Sequence, residues 1–133
     1  EARVAAQRAA FERSRTTEET YLAVMATPVY VPELDVVAVG PEGEVTAFAI
    51  GWVDPVNRHA IFEPVGTHPD HRRKGLAKAV LLEGLRRMKR MGAITAQVGH
   101  LAGAEGPRRL YESVGFAPVD LWTRWEKPKP PGR

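Results

Sequence analysis

The chain has no cysteine among its 133 residues. Neither a disulfide framework nor a thiolate-held zinc is therefore available to it. No apolar run approaches the length of a membrane span, so no transmembrane helix and no membrane partner are expected. The N-terminus also lacks the apolar core of a signal peptide, which makes the cytoplasm the default compartment. Aromatic residues are scarce at 8%, and none interleaves with the main cationic cluster. That argues against a nucleic-acid platform, on which bases stack between basic groups. The formal net charge is only +3, too small for a general affinity for polyanions.

What is present fits a globular domain: 44% hydrophobic and 26% charged residues, in a length that supports one core. Residues 1–126 form the expected domain, and 127–133 a Pro-rich, charged tail expected to be disordered or a linker. The first residue is Glu1 rather than Met, which suggests a piece of a longer protein. About half of the Lys and Arg residues lie between Arg72 and Arg109, a local excess that suits a polyanionic ligand.

Periodicity and turn chemistry divide the chain into elements. Ala2–Phe11 reads as a helix, and Thr16 with Glu19 as a capping box opening a second helix to Met25. Leu34–Val39, Val45–Val53 and Ala60–Thr67 read as strands separated by Pro41-Glu42-Gly43 and Asp54-Pro55-Val56-Asn57. Apolar residues at Ala77, Leu81, Leu85, Met88 and Met91 mark a long amphipathic helix that Gly92 ends. Ala93–Val98 is a further strand, Pro107–Val114 a short helix stopped by Gly115, and Phe116–Trp125 a last strand. The helix between Ala60–Thr67 and Ala93–Val98 makes those strands parallel neighbours. The fold class is α/β, with a mixed central sheet and helices on both faces.

The most specific segment is Arg72-Arg73-Lys74-Gly75-Leu76-Ala77-Lys78, which joins the third strand to the long helix. A glycine turn at a helix start aims backbone N–H groups along the positive end of the helix dipole, a natural phosphate site. Gly75 permits a close backbone approach, and Ala77 keeps the helix start uncrowded. Arg72, Arg73, Lys74 and Lys78 add positive charge. The plainer alternative is a solvated cationic helix end.

Arg72, Gly75 and Ala77 fit the pattern Gln/Arg-x-x-Gly-x-Gly/Ala, and Leu110-Tyr111-Glu112-Ser113-Val114-Gly115-Phe116 follows about thirty-five residues later. With His68-Pro69-Asp70-His71 before the turn, these segments resemble the GNAT superfamily of GCN5-related N-acetyltransferases. The resemblance covers nearly the whole chain. Phe62-Glu63-Pro64-Val65-Gly66-Thr67-His68-Pro69 also resembles the second domain of tandem, mycothiol synthase-like members. The family usually begins with a strand before the first helix, and here the text starts inside a helix. Where many relatives carry an Asn before the short helix, this chain has Ala104-Glu105-Gly106.

The resemblance implies acetyl-coenzyme A as co-substrate, no metal, and an amine acceptor on a small molecule or peptide. It implies that Arg72, Arg73, Lys74, Gly75, Leu76, Ala77 and Lys78 bind the cofactor phosphates, while the amides of Val65 and Thr67 pair with pantetheine. Val65 N–H becomes the donor to the thioester carbonyl. Pro64, lacking an N–H, marks a break or bulge in the third strand. Tyr111 is the expected proton donor to the departing thiolate, its alternative being packing on the short helix. Glu63 is a candidate base, directly or through water, on the expectation that it shares strand phase with Val65 and Thr67. A structural carboxylate is the alternative. His100 is a fallback base, and His68 and His71 are loop-capping or phosphate-side residues. Trp52, Trp122 and Trp125 either wall an acceptor pocket or pack in a core or interface. A different functional class stays open: a non-catalytic module that binds coenzyme A or pairs with a partner, as a homodimer or within a tandem.

Overall fold

The computed structural model describes residues 1–127; most of the expected Pro-rich tail, residues 128–133, lies outside the described residues. Two helices, α1 (Ala2–Ala10) and α2 (Glu18–Met25), precede the strands β1 (Asp35–Val39), β2 (Val45–Asp54) and β3 (His59–Thr67). The helix α3 (Leu76–Arg90), the strand β4 (Thr95–Val98) and the helix α4 (Glu105–Val114) follow. The sheet order is β1-β2-β3-β4, with the first three antiparallel and β4 parallel to β3, as expected.

Alternation along β2 sends its side chains to two cores. Ala47 and Ala49 join Val80, Leu81 and Met88 of α3, while Phe48 points the other way onto Ala6 of α1. The helices thus lie on both faces of the sheet. The approach of α3 depends on Gly84, where a Cβ would stand 2.6 Å from Cε1 of the buried Phe62 ring on β3. Tyr111 of α4 joins the core on the α3 side.

Two expected features differ. The α2 box is built one residue later than Thr16 and Glu19. Thr17 Oγ1 accepts from the Thr20 amide at 3.2 Å, and Thr20 Oγ1 accepts from the Thr17 amide at 2.9 Å. Thr16 instead accepts a hydrogen bond from Gln7 of α1 at 2.9 Å.

The last strand, Phe116–Trp125, does not form. Pro118 has no N–H for a ladder, and the Asp120 carboxylate takes the Leu121 amide at 2.7 Å. Val119, Leu121, Trp122 and Trp125 are consequently 76–91% exposed, so neither late tryptophan packs in a core.

Candidate active site

The turn before α3 has the strand–glycine–helix form expected of its sequence. Arg73 and Gly75 both adopt left-handed backbone, with φ 61° and 75°. Gly75 occupies the N-cap position and so offers no side chain to the first turn of α3. Among the described residues the amides of Arg73 through Lys78 find no acceptor, whereas those of His71 and Arg72 bond back to His68 and Pro69. Arg72, Arg73, Lys74 and Lys78 are exposed, and none is paired with a carboxylate among the described residues. Unbonded N–H groups at a helix start, ringed by unpaired cations, are chemically able to take an anion by both hydrogen bonding and charge.

A gap opens beside this turn. β3 and β4 pair from His59↔Thr95 only as far as Phe62↔Val98, while β3 runs on to Thr67. At the point of parting, the β2–β3 register jumps from Gly51↔Phe62 to Ala49↔Val65, so Glu63 and Pro64 together oppose Ile50. Pro64 therefore sits in a bulge. Beyond it, the His68 amide donates to the Thr46 carbonyl at 2.8 Å. Strand alternation then turns the Gly66 amide toward β2, and the Val65 and Thr67 amides toward the side β4 has left.

The bulge changes one expectation. Phe62 and Val65 oppose Gly51 and Ala49, which share a face, so three positions rather than an even number separate them. Glu63 is therefore out of phase with Val65 and Thr67. It is exposed, and its carbonyl accepts the Trp52 indole N–H at 2.7 Å.

Tyr111 and His100 lie together beyond the end of β4. The Gly115 cap, at φ 109°, and the Phe116 amide bond to the Tyr111 carbonyl at 3.0 Å fix the end of α4. The Tyr111 ring lies 6.0 Å from the His100 ring and 6.2 Å from Phe116 between centroids. Burial pushes the Tyr111 phenol above its ordinary pKa, which keeps it protonated at neutral pH. Its hydroxyl has no hydrogen-bond partner among the described residues. His100 Nδ1 lies 2.8 Å from the Leu101 carbonyl, which can only accept, so Nδ1 is the donor of this bond. His68 acts as a loop cap, its Nδ1 accepting from the Asp70 amide at 3.3 Å.

A polar cluster that the sequence did not signal lies on the α1 face. The Asp35 carboxylate accepts from Arg3 Nε at 3.4 Å, from the Tyr30 hydroxyl at 2.9 Å and from the Tyr21 hydroxyl. The Arg3 guanidinium stacks 3.7 Å over the Phe48 ring. Desolvation lowers the Arg3 pKa and raises that of Tyr30 to about 12. Tyr30 in turn meets Trp52 edge-on at 6.4 Å. A groove of about 560 Å³ lined by Arg58, Met88 and Ile94 lies at the opposite end of β4 and contains none of the candidate residues.

The sequence pattern of the Acetyltransferase (GNAT) family matches residues 5–116. No curated protein sequence matches significantly. Among solved structures, the chain resembles a candidate acetyltransferase from Agrobacterium tumefaciens str. C58, with TM-score 0.78 and 18% identity over 95% of this chain and 92% of that one. It also resembles the ribosomal-protein-S18-alanine N-acetyltransferase from Escherichia coli, with TM-score 0.71 and 24% identity over 90% and 72% of the two chains. A third likeness is to AAC(6')-Iy, solved with the bisubstrate analogue CoA-S-monomethyl-acetylneamine, with TM-score 0.72 and 14% identity over 95% and 89%. At these identities the three structures share the fold.

Proposed function

Because the chain belongs to the acetyltransferase (GNAT) family, we propose that it moves an acetyl group from acetyl-coenzyme A to an amine by direct attack. The observation that carries the reading is the run of unbonded amides from Arg73 to Lys78, set beside a gap between two parallel strands. In it the diphosphate lies on those amides, with Arg72, Arg73, Lys74 and Lys78 balancing its charge. The pantetheine arm enters the gap as an added strand against Val65 and Thr67.

The amine nitrogen attacks the thioester carbon, and Val65 N–H stabilises the oxyanion that forms. Glu63, being out of phase with Val65, takes the proton the amine loses through an intervening water. The carbon–sulfur bond then breaks, and Tyr111 donates its phenolic proton to the thiolate. No metal is needed for any step. The acceptor is an amine on a small molecule or peptide, and the setting is the cytoplasm, as a homodimer or beside a second domain of the same family.

One observation favours a second reading, a module that binds coenzyme A without transfer: Glu63 is exposed and out of phase with Val65. Calorimetric titration with coenzyme A followed by an acetyl-transfer assay over an amine panel separates the two. Binding with transfer supports the enzyme, and binding without transfer supports the module. Absence of binding contradicts both.

A further inference from the structure

We infer that Trp52 is a positioning residue for acetyl transfer, holding the β3 bulge so that the Val65 amide points into the gap. The inference rests on the proposed function. Where Glu63 and Pro64 both oppose Ile50, the ladder between β2 and β3 lacks its regular partners, and Pro64 has no N–H to offer. The Trp52 indole supplies a donor there, reaching the Glu63 carbonyl at 2.7 Å. In register Trp52 opposes Ile61, so its side chain reaches two residues along β3 to make this bond.

The indole is itself braced. Tyr30 packs edge-on against it at 6.4 Å between ring centroids, and the Tyr30 hydroxyl is held by Asp35 at 2.9 Å. Asp35 is tied in turn to Arg3 and Tyr21. A chain of contacts thus runs from α1 through Asp35, Tyr30 and Trp52 to the carbonyl two residues before Val65. Nothing in it touches the reacting atoms. Its effect is on the direction of one backbone donor, and a small displacement of such a donor is felt in the transition state more than in substrate binding.

Trp52→Phe keeps a ring against Tyr30 and removes the N–H. With an amine acceptor established for the wild type, kcat should fall roughly tenfold or more. KM for acetyl-coenzyme A and calorimetric Kd for coenzyme A should change less than about twofold, with the thermal midpoint nearly unchanged. Trp52→Tyr, which retains more bulk, should show the same split. Full kcat in either variant overturns the inference. So does a parallel loss of kcat, affinity and thermal midpoint, or failure of both variants to fold, since each makes Trp52 a packing residue only. A wild-type protein that neither binds coenzyme A nor transfers acetyl overturns the proposed function instead.

Discussion

The His68 amide donates to the Thr46 carbonyl at 2.8 Å, and this bond sets the phase of the last stretch of β3. With Gly66 and His68 committed to β2, the Val65 and Thr67 amides face the gap left where β4 ends at Val98. In the free protein, Gly66 and His68 should be protected from hydrogen exchange while Val65 and Thr67 exchange fast. Saturating coenzyme A should slow the latter pair. Equal protection of all four before the ligand is added would show the gap to be closed.

Gly75 is at φ 75° with open space around its Cα, so a side chain there meets strain and not a clash. Gly75→Val should cost about 1–2 kcal/mol of left-handed strain, or else reshape the turn. The expected result is a Kd for coenzyme A raised more than about tenfold (about 1.4 kcal/mol) in a folded protein. Titration calorimetry with circular dichroism as the folding control checks it, and unchanged affinity would remove the turn from the binding site.

Tyr111 holds its proton beyond the usual phenol range because burial disfavours the phenolate. Loss of an acid by deprotonation should therefore leave wild-type kcat intact to at least about pH 10, the ordinary tyrosine value. Tyr111→Phe should lower kcat by about 10²-fold with coenzyme A affinity nearly unchanged. A pH–rate profile and single-turnover kinetics test this, and equal kcat in the two proteins would leave Tyr111 a packing residue.

Tyr30 carries a pH signature for stability. Its pKa is raised from 10.0 to about 12, first by burial and then by its bond to Asp35. A raised folded-state value means the contribution is complete below pH 10.0 and is lost as pH climbs toward about 12. Denaturant midpoints should fall across that window, and less steeply in Tyr30→Phe. Identical slopes would show that the Tyr30–Asp35 bond does not matter to folding.

Gly84 tests the seating of α3. A side chain there would meet the buried Phe62 ring. Gly84→Val should destabilise by about 1–3 kcal/mol through overpacking, read as a lower urea midpoint. A gain in stability would mean that the Phe62 ring has room to move.

The parts of the fold set by local patterns were legible. The 3.6-residue spacing of Ala77, Leu81, Leu85 and Met88 marked α3, and the strand–glycine–helix order marked the turn at Gly75. Pro64 also announced the break in β3, because a missing N–H is a property of the residue itself. What local reading missed depends on partners distant in sequence. Arg3 and Asp35 lie 32 positions apart, and no spacing rule brings them together. The phase of Glu63 is not legible in the sequence because the extra bulge residue appears only in the pairing with Ile50. Val119, Leu121 and Trp125 do alternate as a strand should, but alternation supplies no ladder partner, and Pro118 and the Asp120–Leu121 bond oppose one.

The most direct test compares coenzyme A with pantetheine, which lacks the diphosphate, by amide chemical-shift mapping on ¹⁵N-labelled protein. Coenzyme A should shift Arg73 through Lys78 together with Val65 and Thr67, whereas pantetheine should shift Val65 and Thr67 alone. Equal shifts from both ligands at Arg73–Lys78, or none there with coenzyme A, would contradict a diphosphate held by the start of α3.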